Sequence, residues 1–150
     1  VSHFTLQLDP GGPILQALVT VSNPRRDALV QAGQPVPLPV PIRALVDTGA
    51  SCTCVDPAVL RDGLRLTPTG SVPINTPTTG ATPHNADQYD IALIIPPATA
   101  EEPPLIFQTI PVVSSSLLHS QGFHALIGRD ILKQCILIYN GSVGTFSLAY

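Results

Sequence analysis

Ala44-Leu45-Val46-Asp47-Thr48-Gly49-Ala50-Ser51 decides how this chain is read. An apolar strand delivers an aspartate, and Thr-Gly then forces a tight turn. A carboxylate at the end of a buried strand is costly unless it is hydrogen-bonded or paired. Gly49 allows the sharp turn that brings its own amide near that carboxylate. The Thr48 hydroxyl has no such local partner and must find one nearby. Taken alone, the tripeptide also reads as an Asx-type turn closing a strand, because Asp, Thr and Gly are ordinary turn residues.

A second stretch shifts that balance. Ala125-Leu126-Ile127-Gly128-Arg129-Asp130-Ile131-Leu132 is again an apolar strand ending in glycine, here opening a short helix. With both motifs present in this order, the chain resembles the retropepsin family, the retroviral and retroelement aspartic proteases and their cellular relatives. The resemblance is domain-wide in layout and motif-level in identity.

The resemblance implies that the two apolar-apolar-Gly strands lie side by side beneath an active site, in a ψ-shaped arrangement. Asp47 would be the catalytic carboxylate, with Thr48 and Gly49 supporting its loop. Thr48 would reach across to the same residue of a second chain. Gly49, Ala50 and Ser51 would line the substrate cleft, with Thr78, Thr79 and Gly80 from a covering flap. Ile127, Gly128 and Arg129 would be structural. One departure stands out: retroviral members usually carry an acid where Ser51 stands, paired with the arginine matching Arg129. Here either Asp130 or another acid does this, or Arg129 has a different role.

The chemistry of that class needs two carboxyls, one as general base for water and one as general acid. This chain has one Asp-Thr-Gly and no internal repeat, so the second Asp47 has to come from another copy, which implies a two-fold homodimer. Asp56, Asp62, Asp87, Asp90 and Asp130 lack the same context and are rejected as the partner. No metal and no organic cofactor are expected. The competing reading is a module of the same fold that dimerises or binds peptide and cleaves nothing.

Composition narrows the alternatives. The 150 residues suffice for a single domain spanning 1–150 with one core. Charged residues make up only 11%, against about 25% in an average domain. Either part of the surface meets a partner, or uncharged polar residues do the solvating. A net charge of −3, with seven basic residues scattered apart from Arg25-Arg26, argues against a phosphate-gripping nucleic-acid surface. No apolar run is long enough to span a membrane. The three cysteines are expected to be reduced, half-buried thiols, with Cys52 and Cys54 on one side of a strand. That weakly favours the cytoplasm. The absence of methionine is read as the mark of a piece of a longer protein.

Seventeen prolines punctuate the chain and argue against long helices and central strands where they stand. Strands are expected over 3–8, 14–22, 40–46, 71–75, 88–95, 105–113, 125–127, 135–139 and 145–148. A turn at Asp9-Pro10-Gly11-Gly12 joins the first two, and Asn140-Gly141 marks a terminal hairpin. Residues 23–34 and 114–121 read as loops, 55–60 as a short helical turn, and 129–134 as the one short helix. The flap would be the tip over 76–83. The fold class is therefore all-β: a closed or nearly closed retropepsin-like barrel with one short C-terminal helix, half of a two-fold dimer.

Overall fold

A computed structural model describes residues 2–76 and 79–150. The elements run β1 (His3–Gln7), β2 (Ile14–Val21), α1 (Asn23–Gln31), β3 (Val40–Val46) and β4 (Cys54–Val55). A wide helical turn follows over Ala58–Gly63, then β5 (Gly70–Ile74), β6 (His84–Ile95) and β7 (Leu105–Ser114). The chain ends with α2 (Leu118–Gln121), β8 (Ala125–Ile127), α3 (Arg129–Leu132), β9 (Ile136–Asn140) and β10 (Thr145–Ala149). Strand accounts for 44% of the chain and helix for 16%, and six strands close into a barrel.

The barrel order is β2-β3-β8-β4-β7-β6, closed by a second pairing of β6 with β2. β6 is twelve residues long because it serves two structures. Its first half pairs with β5 as a hairpin, and its second half pairs with β2 across the closure. An irregularity between Ile91 and Leu93 in the β6–β7 ladder marks the changeover. Inward residues alternate as expected of strands, with Leu15, Ala17 and Val19 on β2 and Ile42, Ala44 and Val46 on β3. Ile91, Leu93 and Ile95 on β6 are all buried, as their spacing predicts.

Two of the expected strands, 40–46 and 105–113, form as barrel strands although each holds a proline. Pro41 lies in β3 and Pro111 in β7. The ladders explain both. β8 pairs with β3 only from Ala44 to Val46, and β4 pairs with β7 only at Val113 and Ser114. One side of each strand is therefore unpaired at its proline, and no ladder hydrogen bond is lost there.

The helical content corrects the reading of one short C-terminal helix. Residues 23–31, read as loop, form α1, with Pro24 in its first turn where a missing amide costs nothing. The segment was opaque because it carries no apolar stripe; Leu29 is its one buried residue. A single helical turn, α2, also interrupts the Ser-rich segment. The Asp9–Gly12 turn forms as expected, closed by reciprocal amide-to-carbonyl bonds of 3.0 and 2.8 Å. However, β1 and β2 part there into different sheets, and β1 pairs with β10 in a three-stranded sheet of order β1-β10-β9.

Asp56 holds the turn after β4. Its carboxylate accepts from the backbone amides of Ala58 (2.9 Å), Leu117 (2.7 Å) and Leu118 (2.8 Å), and it is 5% exposed. Burial opposes its ionisation. The amides of Leu118, Ala58 and Leu117, helped by nearby His124, outweigh that effect and lower its pKa below the ordinary 3.8. Asp56→Asn places an amide group against at least one of these donors and should cost about 2–4 kcal/mol at neutral pH. Because the folded pKa is depressed, this contribution is complete above about pH 4 and is lost as pH falls through the folded value. Denaturant unfolding of both proteins from pH 7 down to pH 3 should show the gap between them narrowing only at the acid end.

Candidate active site

β3 and β8 run parallel, with Leu45 opposite Leu126 and Val46 opposite Ile127. β8 in turn pairs antiparallel with β4, so it is inserted between two strands joined by residues 47–53. The loop carrying Asp47 is thereby stretched across the end of β8. Asp47 N donates to Ile127 O (3.0 Å), and Arg129 N donates to Ala50 O (3.0 Å). The Arg129 guanidinium adds bonds from Nη1 to the carbonyls of Thr48 (2.8 Å) and Gly49 (3.1 Å).

Arg129 thus grips backbone rather than an acid, which answers the question raised by Ser51. Asp130 has other work. Its Oδ2 accepts from Thr53 N (3.0 Å), and its Oδ1 accepts from Thr53 Oγ1 (2.8 Å) and from its own neighbour Ile131 N (3.0 Å). Thr53 Oγ1 also accepts from Gly128 N (3.2 Å). Thr53 is fully buried, so this hydroxyl ties the two halves of the site from inside. Sequence reading missed Thr53 altogether; its partner lies 77 residues away and no local pattern announces it.

Gly128 is needed for space rather than for an unusual torsion, since its φ is −88°. A Cβ there would stand 2.5 Å from the Cys52 carbonyl carbon and 2.6 Å from its oxygen. No ordinary packing tolerates such distances.

Asp47 is half-buried, and its Oδ1 accepts from Gly49 N at 2.8 Å. It opens on a cleft of about 840 Å³ whose walls include Gly49, Ala50, Ser51, Cys52 and Cys54 on one side. The β5 arm supplies Val72, Pro73, Ile74, Asn75 and Thr76 opposite, and Gln88, Val113 and Leu126 complete the floor. Pro111, Ser115 and Asp130 also line it, so polar groups such as Ser51, Asn75, Gln88 and Ser115 are set among a surface that is apolar over most of its area.

The β5–β6 hairpin overhangs this cleft, with Gly70 opposite Gln88 and Ile74 opposite His84. Its root is fastened by Arg61, which donates to Tyr89 OH (2.8 Å) and to Asp87 Oδ2 (2.6 Å). Near its tip Thr79 Oγ1 donates to Thr76 O and accepts from Thr76 N, both at 2.9 Å, and Gly80 takes a positive φ of 60°. Of the residues expected to touch substrate, Gly49, Ala50 and Ser51 line the cleft, whereas Thr79 and Gly80 do not. The covering face is instead carried by Val72 to Thr76. Thr78 lies outside the described residues.

Thr48 is exposed, and among the described residues its hydroxyl has no hydrogen-bond partner. Cys52, Cys54 and Cys135 are free and half-buried. Burial pushes the Cys54 thiol up to about 12, with Cys52, Asp130 and Asp47 adding to the effect. A thiol so shifted is no nucleophile at neutral pH. Among the described residues no group of His, Cys, Asp and Glu is disposed to hold a metal ion, and no helix is long and apolar enough to cross a membrane. The sequence matches no family model and no curated protein.

Gly128→Ala should destabilise the domain by about 1–3 kcal/mol or more, because the surrounding atoms are backbone and cannot move aside. Gly70→Ala, with nothing within 4 Å of the added methyl, is the control and should be nearly neutral. Thermal unfolding of the two variants beside the parent decides the point.

Proposed function

We propose that this chain is one half of a homodimeric aspartic endopeptidase of the retropepsin kind, with Asp47 as its catalytic carboxylate. The observation that carries this reading is the placing of Asp47. A single carboxylate is held by a glycine amide in a loop stitched to a second strand–glycine motif, and it opens on a large apolar cleft beneath a β-hairpin. The parallel β3–β8 pair beneath the loop fits the arrangement the resemblance implies.

In this reading two Asp47 side chains meet on a two-fold axis. Carboxyls held about 3 Å apart cannot both ionise and share one proton, the general behaviour of aspartic proteases. The ionised member takes a proton from a water molecule as its oxygen attacks the peptide carbonyl. The protonated member gives its proton to the carbonyl oxygen. Collapse of the tetrahedral diol then breaks the C–N bond as a proton passes to the departing amine. The apolar walls contributed by Val72, Ile74, Val113 and Leu126 favour an extended peptide with bulky apolar side chains.

Two features support the second copy. The exposed, unpartnered Thr48 hydroxyl sits beside the proposed axis, where the same residue of a second chain can complete it. β9 is an edge strand with large apolar side chains exposed on both faces: Ile136 and Ile138, on one, are 63% and 58% exposed, and Tyr139, on the other, is 59% exposed. Such an edge is a template for pairing with another strand.

Peptide cleavage by the parent and by Asp47→Asn, read by mass spectrometry on a mixed peptide library, is the direct test. Cleavage should vanish in the variant while its unfolding curve is unchanged. Persistent cleavage at the same bonds would remove Asp47 from the mechanism, and silence of the parent as well would favour a peptide-binding module.

Specific activity should also fall on dilution, as expected when the site is shared between chains. Ile138→Lys should shift that fall to higher protein concentration by about tenfold or more, by placing a charge in a desolvated contact. Sedimentation at matched concentrations checks both statements; a monomer with undiminished activity at every dilution contradicts them.

A further inference from the structure

The seven basic residues are not equally occupied. Arg26, Arg43 and Arg61 each face a carboxylate, and Arg129 holds the carbonyls of the Asp47 loop. Arg25, Arg65 and Lys133 do neither, and among the described residues none of the three side chains has a partner; Lys133 stands apart from the pocket that the two arginines share. That pocket, of about 350 Å³, lies on an outer face that shares no residue with the Asp47 cleft. Pro35 and Pro37 supply its accessible apolar walls, Leu29 of α1 and Leu64 lie buried at its base, and no acidic residue lines it.

Each arginine also stands where local stability argues against it. Arg25 lies in the first turn of α1, which contains no acid, so its charge opposes the helix dipole. Arg65 has a φ of 53°, the one positive value among described non-glycine residues, at the exit of the Ala58–Gly63 turn. That conformation costs a branched or long side chain on the order of 1 kcal/mol where glycine or asparagine would be at ease. Two locally unfavourable cations converging on one apolar pocket point to a ligand rather than to fold maintenance.

We propose that this pocket binds a short peptide segment in which carboxylates flank an aliphatic side chain. Arg25 and Arg65 take the carboxylates, and Pro35 and Pro37 receive the apolar group above the buried Leu29 and Leu64. Val30 and Leu38, next in sequence to lining residues, are 63% and 83% exposed, giving a continuing chain further apolar surface to cover. A bare anion would leave that surface in water. The inference is independent of the peptidase reading.

The test is fluorescence anisotropy with an end-blocked, labelled peptide whose core is Glu-Leu-Glu, beside its Gln-Leu-Gln analogue. The glutamate peptide should bind, more weakly as salt rises, and the analogue should bind about tenfold less tightly. Arg25→Gln and Arg65→Asn should each weaken binding about threefold to tenfold. Both variants should keep or raise the melting temperature, because each removes a local conflict, so lost affinity is not lost fold. Methyl resonances of Leu29 and Leu64 should move on titration. The proposal is overturned by absence of binding, by equal binding of the analogue, or by parental affinity in both variants. Resonance shifts at Val72 and Leu126 instead, which place the peptide in the Asp47 cleft, also overturn it, as does full competition by inorganic phosphate without movement at Leu29 and Leu64.

Discussion

The approach of the Gly128 backbone to the backbone of Cys52 and Thr53 is the contact on which the rest of this structure depends. It lets β8 slide between β3 and β4, so that the loop joining those two strands must pass over the end of β8. Once that crossing is made, three groups lock it: the Asp47 amide on Ile127, the Thr53 hydroxyl between Gly128 and Asp130, and Arg129 on the carbonyls of Thr48 and Gly49. A methyl group at position 128 would push the crossing open, and every one of these bonds is too short to follow it.

The chain has few charges and uses two of its carboxylates to hold backbone, the buried Asp56 and the half-buried Asp130. Asp56 and Asp130 act as acceptors for backbone amides and a buried hydroxyl, so they fix loops without needing a cation. Such carboxylates are stable only because each oxygen is hydrogen-bonded by nearby donors. The same logic separates them from Asp47, whose carboxylate accepts one amide and otherwise faces an open cleft. A carboxylate left with free acceptor capacity in a cleft is available for chemistry, while one saturated by amides is not.

Surfaces tell a parallel story. The barrel hides its apolar residues by alternation, yet β9 presents Ile136, Ile138 and Tyr139 outward at the edge of the small sheet. A low-charge chain with such an edge fits the proposed pairing of two copies through the terminal sheet. α1 and the proline-rich stretch after it lie apart from both edge and cleft, which is why their pocket calls for a separate explanation.

Much of this was legible in the residues themselves. Alternation located most strands, because burying one face of a pleated strand imposes a period of two whatever the strand pairs with. The glycine after each apolar strand marked both halves of the site; at Gly128 the reason is physical, because a side chain there would run into the Cys52 backbone. The sequence was silent about α1, which lacks an apolar stripe since it buries little beyond Leu29, and about which strands pair, since β1 leaves its neighbour for β10 far along the chain. It could name Arg129 and Asp130 but not their partners, Thr48, Gly49 and Thr53, which lie some 80 residues away. Local preferences and periodicity act over a few residues and are written in the sequence. Which distant backbone an arginine grips, and which buried hydroxyl an acid holds, follows from barrel closure and is decided only when the strands have met.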